Sequence, residues 1–129
     1  MNSDQFWELH KKYSDLKIGE DIAYAGARNP LGGECEGFVD CDFYVWSITD
    51  GRYLELYPEG RHVDGFLKDL ENYLAEVVKQ ANYYSVGEES ELTKEVDQAV
   101  ALIARTKSDR KEKLLELLSQ VRRAKFVGP

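Results

Sequence analysis

Apolar residues along this chain recur at helical steps in several stretches and alternate in one. In residues 3–16, Phe6, Leu9, His10, Tyr13 and Leu16 follow three- and four-residue spacing, which predicts a first helix with one mostly apolar stripe. Ser3 or Asp4 can cap it, because either side-chain oxygen can accept from a free first-turn N–H. Residues 64–84 carry a broad stripe of Phe66, Leu67, Leu70, Tyr73, Leu74, Val77, Val78 and Ala81. Residues 90–106 place Leu92, Val96, Ala99, Val100 and Ile103 on one side, after Ser90 as cap. A last helix begins at Ser108 or Asp109 and buries Leu114, Leu117, Leu118 and Val121. The short join at Thr106–Ser108 predicts that these last two helices are antiparallel neighbours.

Residues 38–57 read differently. Two runs rich in β-branched and aromatic residues, Phe38–Thr49 and Arg52–Tyr57, flank Asp50-Gly51, a pair suited to a two-residue hairpin turn. Pro58-Glu59-Gly60 then ends the second strand. Residues 17–37 lack a regular pattern. Gly19, Gly26, Pro30, Gly32, Gly33 and Gly37 punctuate them, predicting a loop with room for a short strand at Ile22–Ala25. The expected architecture is a single α+β domain spanning residues 1–129. It has an N-terminal helix, a small antiparallel sheet centred on the hairpin, and three C-terminal helices.

Strand parity divides the hairpin into two faces. Val39, Cys41, Phe43, Val45, Ser47, Leu54 and Leu56 form a core face. Asp40, Asp42, Tyr44, Trp46 and Ile48 lie across from Tyr53, Glu55 and Tyr57 on the other. A solvated strand face usually carries Lys, Thr, Glu and Ser. Rings interleaved with carboxylates suit recognition instead, since Tyr and Trp offer large contact area and a polar handle. The candidate partner-binding residues are therefore Asp40, Asp42, Tyr44, Trp46, Tyr53, Glu55 and Tyr57. Two other readings remain open at this stage. The first helix could cover these rings as a second core layer, or a three-residue turn ending in Gly51 could change the register.

Charge narrows the class of partner. The net charge is −7, but the segment from Arg105 onward carries 8 basic and 3 acidic residues, hence +5. The remainder carries 9 basic and 21 acidic residues, hence −12. A phosphate backbone would be repelled by that body, so nucleic acid is disfavoured and a basic protein partner favoured. The basic segment fits a helix docked against an acidic body, its last-turn cations complementing the helix dipole.

Candidate chemistry is sparse. Cys35 and Cys41 form a lone Cys-x5-Cys with His62 downstream, short of a zinc ligand set, and read as two reduced thiols. Glu34, Glu36, Asp40 and Asp42 lack the loop that converges oxygens on a cation. His10 and His62 belong to no recognisable nucleophile arrangement, and the glycines match no phosphate or dinucleotide fingerprint. No catalytic residue, metal or cofactor is assigned. The N-terminus does not read as a signal peptide, and no apolar run approaches the ~20 residues of a membrane span. The expectation is a cytoplasmic protein that does not enter a membrane.

In general character the chain resembles inhibitor or immunity proteins that neutralise basic toxins. The resemblance is one of type and carries no residues across. It implies a small acidic binding module for a basic protein. The alternatives are a homo-oligomeric scaffold subunit, with a homodimer as its simplest form, and a small ligand-binding protein or enzyme using the 17–37 loop.

Overall fold

Burial overrules strand propensity in the middle of this chain. The computed structural model describes residues 2–29 and 35–128. Among them are seven α-helices and no strand: α1 (Ser3–Tyr13), α2 (Ile18–Arg28), α3 (Val39–Ile48), α4 (Asp50–Leu56), α5 (Val63–Lys79), α6 (Glu89–Arg105) and α7 (Lys111–Arg123). A 3-10 turn at Ala81–Tyr83 follows α5. The structure is 73% helical, which corrects the expected α+β fold. The only extended pairing among the described residues is an isolated parallel bridge between Phe38 and Ser85.

The predicted hairpin is two helices. Val39 and Phe43, four residues apart, are both buried, and Trp46, three further on, packs against the same core. In α4, Tyr53 and Leu54 are sealed inside. Placing a β-branched or aromatic residue in a helix costs about 0.5 kcal/mol, whereas burying one large apolar side chain gains roughly 1.5–3 kcal/mol. Tertiary burial wins at each such position. The Asp-Gly pair makes no tight turn. Thr49 ends α3, its Oγ1 donating to the Val45 carbonyl at 2.7 Å, and Asp50 begins α4. Gly51 serves close approach, since a Cβ there would lie 3.1 Å from the Trp46 carbonyl oxygen and 3.2 Å from its ring.

The glycine-punctuated stretch is also largely helix. Ile22–Ala25, the suggested strand, lies within α2. Gly26 lets α2 approach α1, because a Cβ there would meet the Trp7 ring at 3.1 Å, and Ser3 Oγ donates to the Gly26 carbonyl at 2.7 Å. Gly19 passes the Tyr13 carbonyl oxygen in the same way. Pro30, Gly32 and Gly33 of the expected loop, and Glu34 of the acidic run, lie outside the described residues.

The remaining helices follow their stripes. α1 is capped by Asn2 rather than Ser3 or Asp4: Asn2 Oδ1 accepts from Gln5 N at 2.9 Å, and Gln5 Oε1 accepts from Asn2 N at 2.8 Å. α5, α6 and α7 bury Phe66, Leu67, Leu70 and Leu74; Leu92, Val96, Ala99 and Ile103; and Leu114, Leu117, Leu118 and Val121. α6 and α7 run antiparallel. Lys111 Nζ reaches the Ala104 carbonyl at one end, and Arg122 pairs with Asp97 at the other. The basic segment is tied to the acidic body, with Arg110 on Asp64 and Glu71, and Lys107 on Glu59.

The two cysteines are joined. Cys35 and Cys41 form a disulfide with Cα atoms 5.4 Å apart, correcting the expectation of reduced thiols. Glu36 and Gly37 both have positive φ (51° and 86°), so the chain turns back onto the start of α3 and brings Cys35 over Cys41. Among the described residues, no helix is long and apolar enough to cross a membrane.

Candidate binding cleft

Two helices joined end to end at Thr49, with α5 packed alongside, leave a cleft of about 260 Å³. α3 contributes Asp42, Phe43, Val45 and Trp46, the α3–α4 junction Thr49 and Asp50, and α5 Asp69, Leu70 and Tyr73. Helical spacing explains the convergence. Asp42 and Trp46 stand four residues apart on α3, as do Asp69 and Tyr73 on α5, so each pair shares a face of its helix, and the break at Thr49 brings in Asp50 at the start of α4.

The cleft walls are mostly carbon, and carboxyl groups interrupt them. Tyr73 OH donates to Asp42 Oδ2 at 2.6 Å. Burial pushes the Asp42 carboxyl up, the Tyr73 hydrogen bond pulls it back, and the charge of Asp40 adds to the rise. The Tyr73 phenol is itself pushed far up, first by burial and then by Asp42. Asp50 is the most perturbed carboxyl. Burial raises it to about 7, against the pull of the Arg28 guanidinium and with a further push from Asp69. Arg28 is committed to Asp69, at 3.0 Å. It also lies over the Phe66 ring, 5.0 Å from its centroid.

The seven candidate partner-binding residues do not share one face. Asp42 and Trp46 line the cleft, and Tyr44, on the same helix, is 54% exposed. Asp40 turns toward the start of α6, accepting from Gly87 N at 2.9 Å and Glu88 N at 3.1 Å. Tyr53 is 0% exposed; its OH donates to Glu20 Oε1 at 2.6 Å and accepts from His62 N at 3.1 Å. Tyr57 is half-buried and hydrogen-bonded to His10 Nε2 at 2.9 Å. Glu55 is exposed beside Arg52 and His10. Strand parity is thus replaced by helical rotation, which scatters Asp40, Tyr53, Glu55 and Tyr57 away from the cleft. Asp50, Asp69 and Tyr73 were missed. The 42/46 and 69/73 spacings carry the available signal, and Asp50 becomes legible only once Thr49 is read as the junction of two helices.

The histidines serve packing. His62 stacks on Tyr24 at 3.7 Å between ring centroids, and His10 stands edge-on to Trp7 and Tyr57. Burial lowers both pKa values, helped by Arg52 at His10 and Arg61 at His62. Among the described residues, no three His, Cys, Asp or Glu side chains converge as a metal site. Comparison with family models, with curated proteins and with solved structures found no match.

Proposed function

We propose that this chain is a binding module for a basic protein partner, of the inhibitory or immunity type, acting through the face around the α3–α5 cleft. The observation that carries the reading is the placement of Asp42 and Asp50 in an aromatic-walled cleft. Carboxylates in a low-dielectric recess attract a cation more strongly than the same groups on an open surface. The net charge of −7 adds long-range steering of a positive partner. The site is thus Asp42, Trp46 and Asp50 in the cleft, and Tyr44 stands exposed on α3 outside the cleft lining. Tyr53 and Tyr57 act as framework, holding α4 against α1 and α2. The Cys35–Cys41 bond favours an oxidising compartment over the cytoplasm for this module, because reducing compartments open such pairs.

Affinity capture with tagged protein tests this reading, using the wild type beside Asp50→Asn and Asp42→Asn. The expected partner has a net positive charge and binds at least tenfold more weakly to each variant, while circular dichroism stays unchanged. Raising the salt from about 0.05 to 0.5 M should weaken capture further. An acidic partner, or one indifferent to both substitutions, would remove the proposal.

A further inference from the structure

We infer that the α3–α4–α5 cleft is a receptacle for one alkyl-cation side chain, an arginine or lysine offered by the partner, with its stem against Val45, Leu70 and Trp46 and its head at Asp50. The inference deepens the proposed function and rests on it for the source of the cation.

Size points to a single side chain. Pockets for drug-sized ligands run from about 300 to 1,000 Å³. At about 260 Å³ this cleft lies below that range. Its lining fits an amphipathic guest: aliphatic and aromatic walls accept a methylene stem, and the faces of Trp and Phe favour a cation over a neutral head. Charge points the same way. Asp42, Asp50 and Asp69 contribute −3 and Arg28 contributes +1, leaving −2 around the cleft when all are ionised.

The internal partners are unequally shared. Asp42 has the Tyr73 hydroxyl and Asp69 has Arg28, but Asp50 has no hydrogen bond among the described residues. Trp46, beside it on the wall, keeps its Nε1 sealed from water and unbonded. A half-buried carboxyl without donors costs stability, and an apolar residue would fill the position at no such cost. A guanidinium or ammonium seated at Asp50 supplies the missing donors and the counter-charge together.

The test is a two-dimensional amide NMR titration of the intact chain with n-butylguanidinium, n-butylammonium and n-butanol. The two cations should bind with about millimolar affinity, shifting amides of Asp42–Asp50 and Asp69–Tyr73. n-Butanol should bind at least tenfold more weakly. Asp50→Asn, which removes the charge while keeping the shape, should lower cation affinity at least tenfold and leave n-butanol unchanged. Equal affinity for cation and alcohol, or an unaffected Asp50→Asn, would overturn the inference. A captured partner should also be displaced by saturating n-butylguanidinium. If the cation seats but does not compete, the cleft takes a free cation, and the assignment to a partner's side chain falls. If a basic partner is captured and Asp42→Asn weakens it while no cation enters the cleft, the receptacle is wrong and the proposed function stands. If the cation seats and no basic partner exists, the proposed function is the part that fails.

Discussion

Asp50→Asn should stabilise this protein, and by an amount that depends on pH. The native carboxyl is pushed to about 7 from an ordinary value of 3.8, a difference of 7 − 3.8 = 3.2. At 1.36 kcal/mol per pKa unit this corresponds to at most about 4 kcal/mol. The sign follows from proton binding. Between the two values the native state holds a proton that the unfolded chain has released, so stability falls as pH rises. The cost is absent below about pH 4, grows through pH 5 and 6, and is fully present above pH 7. Burial sets this cost; Arg28 reduces it, while Asp69 adds to it. Asn keeps the shape and removes the titration, but forgoes about 0.5 kcal/mol of favourable charge in the first turn of α4. The net gain at about pH 8 is then roughly 2–4 kcal/mol. Urea unfolding of both proteins at about pH 4, 6 and 8 measures it by linear extrapolation. The curves should nearly coincide at the lowest pH and separate as pH rises. A difference independent of pH, or a destabilised variant at pH 8, would refute the claim that burial in the cleft holds the Asp50 carboxyl up.

Other expectations follow from single contacts. Tyr53→Phe removes a buried hydroxyl bonded to Glu20 and His62 N, and should cost about 1–3 kcal/mol by urea unfolding with the far-ultraviolet spectrum unchanged. Replacing both cysteines by serine opens a short loop and should cost about 2 kcal/mol. Reductant should lower the wild-type midpoint by the same amount and leave the double variant alone, and a thiol assay on the denatured wild type should find no free thiol at Cys35 or Cys41. Gly51→Ala and Gly65→Ala should differ in sign. The first presses a methyl against the Trp46 backbone and destabilises, while the second meets nothing within 4 Å and gains about 0.5–1 kcal/mol from helix propensity. Thermal melts of the wild type and both variants check the pair.

Helices whose apolar residues fall on one stripe could be read directly. Leu114, Leu117, Leu118 and Val121 mark α7 as plainly in the sequence as in the fold. α3 could not be read this way. Val39, Phe43 and Trp46 face the core, yet Tyr44, Val45 and Ile48 occupy the other sides, so no polar face breaks the run and alternation looks as good as a turn of helix. Asp-Gly then completed the likeness to a hairpin, although here Gly51 exists for contact with Trp46. α2 was obscured because Gly19 and Gly26 look like breaks and are in fact points where α1 comes close. Of the site, Asp42 and Trp46 are selected by strand parity, and they still meet because two residues four apart also share a helical face. Asp50, Asp69 and Tyr73 depended on that backbone and were lost with it. The disulfide was hidden for a different reason: its closure depends on the left-handed turn at Glu36–Gly37, which spacing alone does not reveal.

The cleft exists only if residues 39–56 form two helices meeting at Thr49, and backbone carbon chemical shifts report this residue by residue. Helical shifts over Val39–Ile48 and Asp50–Leu56, interrupted at Thr49, are the predicted result. Extended shifts, with cross-strand contacts pairing Thr49 with Arg52 and Ser47 with Leu54, would contradict it and separate Asp42, Asp50 and Trp46.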